Sequence, residues 1–427
     1  MTALVITLFF TFLIGVPIGV SLALASISTY VTNSVSMINS FYVYKNMVDG
    51  LNSYPFLAVP LFIFSGFIMS RGDMAKKLFE FFAYFMAKIT AGLPITAVFT
   101  SLFYGALSGS GPATTAAVGS MAVPYLMDKG YEKNFCAALV ATSGGLGVII
   151  PPSIPFIIYA ISANVSVADM FIAGIIPGII IAITLSGTAY YSCKKNGENK
   201  TLLKESFNNL HKKSFLKVLM ESFWALLTPV IVLGGIYGGF VTPTEAATVA
   251  VIYSLIVTIF IYKTIKIQDI PGILAKTSKS LAPIMAVVGA AVVFGRVVTL
   301  LRIPAMVAAF MINTIHSKLA IILIINVILL IAGMFVNTTS AILVLTPVLL
   351  PVALAIGIDP IHFGIMMVVN LAIGYVTPPV GLNLFVASGM FDIPILTLAK
   401  ECIPFILAFM VALVFVIFIP WLSLALI

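Results

Sequence analysis

Four short interruptions carry the residues best suited to chemistry in this chain. They are Ser108-Gly-Ser-Gly-Pro112, Gly144-Gly-Leu-Gly-Val-Ile-Ile-Pro-Pro152, Asn337-Thr-Thr-Ser340 and Gly374-Tyr-Val-Thr-Pro-Pro379. Each cuts a long apolar run: Leu93 to Met127, Phe135 to Ala160, Leu319 to Ala355 and Phe363 to Met390. Backbone that leaves helical geometry exposes carbonyl oxygens, and the end of the preceding half-helix adds a negative dipole end; both suit a hard cation such as sodium. Ser108, Ser110, Asn337, Thr338 and Thr377 can add side-chain oxygens. No Asp or Glu lies in any of the four breaks, so the protonatable carboxylate of a proton relay is missing, which favours sodium over protons. The next half-helix begins with free N–H groups and a positive dipole end, where a carboxylate fits. Pro112, Pro151, Pro152, Pro378 and Pro379 suit first-turn positions that need no N–H, and Thr114, Thr115, Thr339 and Ser340 offer hydroxyl donors.

The elements that must hold these breaks are membrane helices. Of 427 residues, 61% are hydrophobic and 8% charged, against about 45–50% and about 25% in soluble domains. Apolar runs near the roughly 17–25 residues that cross a bilayer recur from end to end, so an all-α polytopic membrane protein is expected. Ala3 to Ser28 lacks a basic n-region and a cleavage site and reads as a first membrane helix. Further crossings are expected at Tyr54 to Ser70, Phe171 to Tyr191, Trp224 to Phe240, Ala246 to Tyr262, Ala282 to Phe294 and Phe405 to the C-terminus. Cys136, Cys193 and Cys402, like His211, His316 and His362, are scattered, so neither a transition-metal site nor a disulfide framework is expected. The net charge of +8 sits in lysines between membrane helices and marks no nucleic-acid surface.

Punctuating residues recur at one offset. Pro124 and Pro351, Gly130 and Gly357, Gly147 and Gly374, Pro151 and Pro378, and Pro152 and Pro379 are all 227 apart, and the same offset carries Ser110 onto Asn337. The chain therefore reads as a first repeat over 1–192, a basic linker over 193–217 with seven lysines against two glutamates, and a second repeat over 218–427. The positive-inside rule puts that linker in the cytoplasm with Arg71 to Lys88, Lys129 to Lys133 and Lys263 to Lys279, the N-terminus inside and the C-terminus outside; Arg296, Arg302 and Lys318 fall on the outer side against that rule. Five crossings separate the two broken hairpins, so the repeat is inverted. Two re-entrant hairpins and two unwound membrane helices meeting near the midplane mark a secondary transporter.

Any one break alone reads as close helix packing, because Gly, Pro and small residues are common in membrane helices. Four in repeat-related pairs read as a site. A serine nucleophile at Ser108-Gly-Ser-Gly lacks a histidine in a matching helix and an acid to orient it, so no enzyme is expected. Glu245, in Thr242-Pro-Thr-Glu-Ala-Ala247, reads as a first-turn acid at a helix N-terminus. Arg296 and Arg302 read as snorkelling interfacial residues, with a lesser role in drawing an anion to the outer opening.

Six ordered motifs resemble one family across essentially the whole chain: Gly15-Val-Pro-Ile-Gly19, Pro60-Leu-Phe-Ile-Phe-Ser-Gly66, Ser108-Gly-Ser-Gly-Pro-Ala-Thr-Thr-Ala116, Gly145-Leu-Gly-Val-Ile-Ile-Pro-Pro-Ser153, Gly234 to Ala247 and Gly374-Tyr-Val-Thr-Pro-Pro-Val-Gly-Leu-Asn383. They look like the large membrane subunit of tripartite ATP-independent periplasmic (TRAP) transporters. The resemblance implies a bacterial inner-membrane permease, sodium-driven, with no other cofactor. It implies a small four-helix membrane subunit as a separate chain and a soluble periplasmic binding protein that delivers a carboxylate, with elevator movement of a transport domain. By resemblance the sodium sites map onto Ser108, Ser110 and Gly111 with Gly145, Val148 and Pro151, and onto Gly333, Asn337 and Thr338 with Gly374 and Thr377. Pro112, Thr114, Thr115, Thr339, Ser340 and Asn383 are the substrate-side candidates. The alternative is a stand-alone sodium/dicarboxylate symporter without a binding protein.

Overall fold

A computed structural model describes residues 2–32 and 39–427 of the chain. The described residues form helices joined by short turns: α1 (Thr2–Leu13), α2 (Ile18–Val31), α3 (Ser40–Leu51), α4 (Ala58–Arg71), α5 (Met74–Met86), α6 (Gly92–Ser108), α7 (Gly111–Asp128), α8 (Lys133–Ser143), α9 (Ile154–Ala163), α10 (Val167–Asn196), α11 (Lys200–Leu210), α12 (Phe215–Tyr237), α13 (Pro243–Ile256), α14 (Ile270–Leu300), α15 (Ile303–Thr314), α16 (Lys318–Phe335), α17 (Thr338–Ala355), α18 (Pro360–Gly374), α19 (Leu382–Phe391), α20 (Ile395–Phe418) and α21 (Trp421–Leu424). Among the described residues, eight helical stretches are long and apolar enough to cross a membrane, among them 54–71, 267–300 and both arms of the α16–α17 pair. Their outward faces are apolar: α16 exposes Leu319, Leu323, Val327 and Ile331, and α20 exposes Leu407, Val411 and Val414. Lipid suits such faces, and a helix satisfies its own backbone there. The protein is a multi-pass membrane protein of helices.

One expectation fails locally. The single helix over Ala3 to Ser28 is two helices, α1 and α2, packed on each other. Gly15 takes φ 78 and Pro17 stands at the α2 N-cap, so a left-handed residue followed by one without an N–H ends the first helix. The inside placement of the N-terminus, which rested on one crossing there, loses that support. The basic stretch at Lys263 to Lys279 runs from a turn into a helix. Helix α14 begins at Ile270, with Pro271 in its first turn, and carries Lys276 and Lys279 within it. The Glu245 reading holds: Thr242 and Glu245 form a reciprocal capping box on α13.

The helices pack in two groups. Helix α14 lies against α2, α3 and α4, with α4 on α13, while α6 to α10 pack with α16 to α20. Helices α5 and α15 lie between them, α5 on α6 and α12, α15 on α14 and α17. Ion pairs tie α4 to the start of α14, and α5 and the 193–217 segment to α12. Arg71 meets Asp269 at 2.7 Å, and Lys77 and Lys213 both reach Glu221 at 3.1 Å. Within 193–217, Glu198 accepts hydrogen bonds from the Ala91 N–H and the Tyr131 hydroxyl, which pins this segment to the base of α6. Burial beside that carboxylate pushes the Tyr131 phenol well up.

Element bounds recur between the halves. Helices α7 and α17 are 18 residues each, beginning at 111 and 338, 227 apart; α8 and α18 begin at 133 and 360, again 227 apart. Cis peptides join Pro151 to Pro152 and Pro378 to Pro379.

Candidate functional site

Each break is held by a crossing of bare backbone. A Cβ on Gly105 of α6 would stand 2.8 Å from the Gly147 Cα, and one on Gly374 of α18 would stand 2.2 Å from the Gly333 carbonyl carbon. Only glycine permits these approaches, which bring each helix-pair tip onto the turn that interrupts the neighbouring helix. A hydrogen bond crosses the same helices in each half: Ser101 Oγ to Ser143 Oγ at 3.0 Å, and Asn370 Nδ2 donating to Asn326 Oδ1 at 2.9 Å.

At the first tip, α6 ends at Ser108, Gly109 takes φ 60 and α7 starts at Gly111. Ser108 Oγ and Thr114 Oγ1 lie 2.7 Å apart, and Thr114 Oγ1 donates to the Ser110 carbonyl at 2.8 Å. The Ser110 hydroxyl makes no capping bond. Pro112 occupies the first turn, as expected. The facing turn, Gly144–Val148, is a tight 3-10 turn, fully buried. A Cβ on Gly147 would fall 2.7 Å from the Ser110 carbonyl oxygen, one on Gly145 would meet the Phe409 ring at 3.0 Å, and Ser153 donates back to the Val148 carbonyl. Pro151 and Pro152, like Pro378 and Pro379, stand before their half-helices and not in the first turn, because each pair closes the bend that re-aims the chain.

At the second tip, Asn337 caps α17, its Oδ1 accepting from the Ser340 N–H at 2.8 Å while its side chain stays exposed. Thr338 and Ser340 are buried and Thr339 half-buried. Thr338 Oγ1 and Ser340 Oγ have no partner at hydrogen-bond geometry, with the Tyr375 phenol beside Thr338. Thr377 Oγ1 donates to the Ile373 carbonyl at 2.8 Å, and the Val380 N–H donates to the Met334 carbonyl at 3.2 Å.

The two tips share a wall. A Cβ on Gly111 would stand 2.9 Å from Tyr375 and 3.1 Å from Asn383 Oδ1, and one on Gly144 would overlap Thr115 Oγ1 and meet Asn383 Nδ2 at 3.2 Å. Asn383 Nδ2 donates to the Ala141 carbonyl at 3.0 Å. Thr115 and Asn383, 268 residues apart in sequence, therefore meet beside both breaks.

Among the described residues, eight buried side-chain polar atoms lack a hydrogen-bond partner, and five of them lie here: Thr115 Oγ1, Thr338 Oγ1, Ser340 Oγ, Asn370 Oδ1 and Asn383 Oδ1. Each such atom costs about 1–3 kcal/mol unless something binds it. All five are neutral oxygens, the donor class a hard cation takes, and the three hydroxyls can also donate to an anion. No charged residue occurs in 105–115, 141–154, 333–340 or 370–384. Asn326 and Asn370 were missed in the sequence, where each stands alone in an apolar run; the 227 offset places Asn370 on Ser143 and is the signal that finds it.

The chain matches the model of the DctM component of tripartite ATP-independent periplasmic transporters over residues 5–422. It is 40% identical over 407 residues to an isethionate TRAP transporter permease protein, DctMQ, of Oleidesulfovibrio alaskensis, covering 95% of this chain and 63% of that longer protein. It is 38% identical to the C4-dicarboxylate TRAP transporter large permease protein of Pseudomonas aeruginosa, covering 95% and 93%, and 35% identical to the sialic acid TRAP transporter large permease protein of Vibrio cholerae, covering 96% and 95%. These relatives are transporter permeases and not enzymes. The YdaH transporter of Alcanivorax borkumensis shares the fold, with a TM-score of 0.62 at 14% identity over 91% of this chain and 90% of that one.

Proposed function

Because the chain belongs to the DctM component of the tripartite ATP-independent periplasmic transporters, a multi-pass permease of the inner membrane, we propose that it imports an organic acid on a sodium gradient. The observation that carries this reading is the set of five unpartnered buried oxygens at the two breaks. Sodium is held by the Thr338, Ser340, Asn370 and Thr115 oxygens with the carbonyls of the two turns. The anion is held on the half-helix N-termini, by hydroxyls and by the co-bound cations, so neither ion binds well alone. That mutual dependence is the coupling.

The substrate is a carboxylate or a sulfonate, the chemistry that the relatives' substrates share. A small membrane subunit and a periplasmic binding protein complete the transporter. The two halves act as inverted repeats with re-entrant hairpins, and the group built on α6 to α10 and α16 to α20 slides past the α14 group as an elevator. Moving a monoanion into a negative-inside cell costs about 2.3 kcal/mol per 100 mV, so import with at least two sodium ions is electrogenic. Reconstitution of this chain with the small subunit, a candidate binding protein and an inward sodium gradient tests this. Uptake should need all three components and stop when the gradient collapses. Robust uptake by this chain alone would favour the stand-alone symporter, and uptake on protons without sodium would refute the sodium sites.

A further inference from the structure

Two cavities lie along α14, one at the first tip and one beside α9 and α17, and α14 supplies a cation to each. The first, of 340 Å³, lies between the α6–α7 tip (Ser108, Ser110, Pro112) and the α4–α14 wall, where Lys276 and Ser280 face it. The second, of 430 Å³, lies between α9 with α17 and the other end of α14, where Arg296 and Thr299 face it beside Tyr42. Neither cavity is lined by an acidic residue. Among the described residues Lys276 has its ammonium 5.9 Å from the Phe67 ring centre and forms no ion pair, nor does Arg296; both residues are exposed.

Twenty residues of helix separate the two, roughly 30 Å at 1.5 Å per residue, about the thickness of the hydrocarbon core. Helix α14 belongs to the group that the proposed elevator leaves in place. Lys276 and Arg296 therefore stand towards opposite ends of one fixed rail, each opening onto the second helix of a different hairpin.

We infer that Lys276 and Arg296 are the anion-receiving residues of the two cavities, Arg296 on the side of α17 and Lys276 on the side of the α6–α7 tip, each taking the acidic group of a small organic carboxylate or sulfonate. This rests on the anion-carrying function proposed above and names the groups that recognise the charge. The hairpin tips hold neutral oxygens and so cannot neutralise a lone anion. A fixed lysine beside Ser108 and Ser110 can, and Ser280, one turn further along α14, adds a hydroxyl donor. Arg296 presents a planar guanidinium suited to bidentate capture of either oxyanion. A purely topological role for Lys276, as a basic residue near the cytoplasmic face, requires charge near that face and not contact with a ligand.

The test is equilibrium binding to the purified full-length chain, using isethionate and succinate as probes, with and without sodium. Wild type should bind at least one of them. Because the cavities are separate, Lys276→Gln and Arg296→Gln should each abolish one of two binding events and the double variant should weaken total binding at least tenfold, Lys276→Arg should keep the first event within threefold of wild type, and thermal unfolding without ligand should stay unchanged in all variants. Binding of wild-type strength in the double variant, or no binding of either probe by wild type, overturns the inference. Binding that is lost in the double variant but indifferent to sodium upholds it and refutes the sodium coupling instead.

Discussion

The two tips solve one geometric problem with different chemistry. At the first, Ser108, Thr114 and the Ser110 carbonyl bond to one another, so the turn is closed by its own side chains and Thr115 is left over. At the second, Asn337 is spent on capping α17, and Thr338, Ser340 and Asn370 keep oxygens without partners. The first tip is built before any ligand arrives. In the proposed reading, the second is complete only with one. An inverted pair need not bind its ions equally, and the difference predicts that sodium orders the second tip more than the first.

The sharpest way to break the comparison is at the glycine crossings. Gly374→Ala places a methyl 2.2 Å from the Gly333 backbone, which no rotamer change relieves. It should cost about 3 kcal/mol, the top of the overpacking range, and be read as poor expression or a lowered Tm. Gly105→Ala, at 2.8 Å from the Gly147 Cα, should cost less. Equal tolerance of both would mean that the crossings are loose.

Next come the crossing hydrogen bonds. Asn370→Ala strips the donor from the Asn326 side chain and carbonyl together and should lower stability by about 1–3 kcal/mol. Ser143→Ala should cost under about 1 kcal/mol, because Ser101 keeps its bond to the Ala97 carbonyl. Detergent-solubilised melting curves decide between a real asymmetry and none.

Smaller still is the cap. Asn337→Ala removes the bond to Ser340 and should cost about 1 kcal/mol, whereas Ser110→Ala, which loses no cap, should stay within about 0.5 kcal/mol. Ser28→Ala, distant from both tips, serves as the control. Were Ser110→Ala the more destabilising, the first tip would depend on a contact that the present geometry lacks.

Much of this was legible before any coordinates. The breaks announce themselves because Gly, Pro and hydroxyl residues interrupt apolar runs, and the fixed offset pairs them. The meeting of Thr115 with Asn383 was not legible, since no local pattern says which distant turns share a wall. Helix α1 was misjudged because Gly15 and Pro17 lie inside a run that stays apolar throughout, so hydropathy hid the turn. Asn370 hid as a single polar residue in a buried helix whose residues 362–374 are all enclosed.

The central claim is that the unpartnered oxygens await an ion, and Thr338→Val tests it most directly. The change keeps the shape and removes one buried, unbonded hydroxyl. Without sodium the variant should be as stable as wild type or more so, since a group with no partner is lost. The half-saturating sodium for uptake by the reconstituted complex should rise roughly 5- to 100-fold, the equivalent of about 1–3 kcal/mol, with Thr115→Val shifting it less. An unchanged sodium curve in Thr338→Val, with transport intact, would make the tips packing devices and contradict the proposed sodium site.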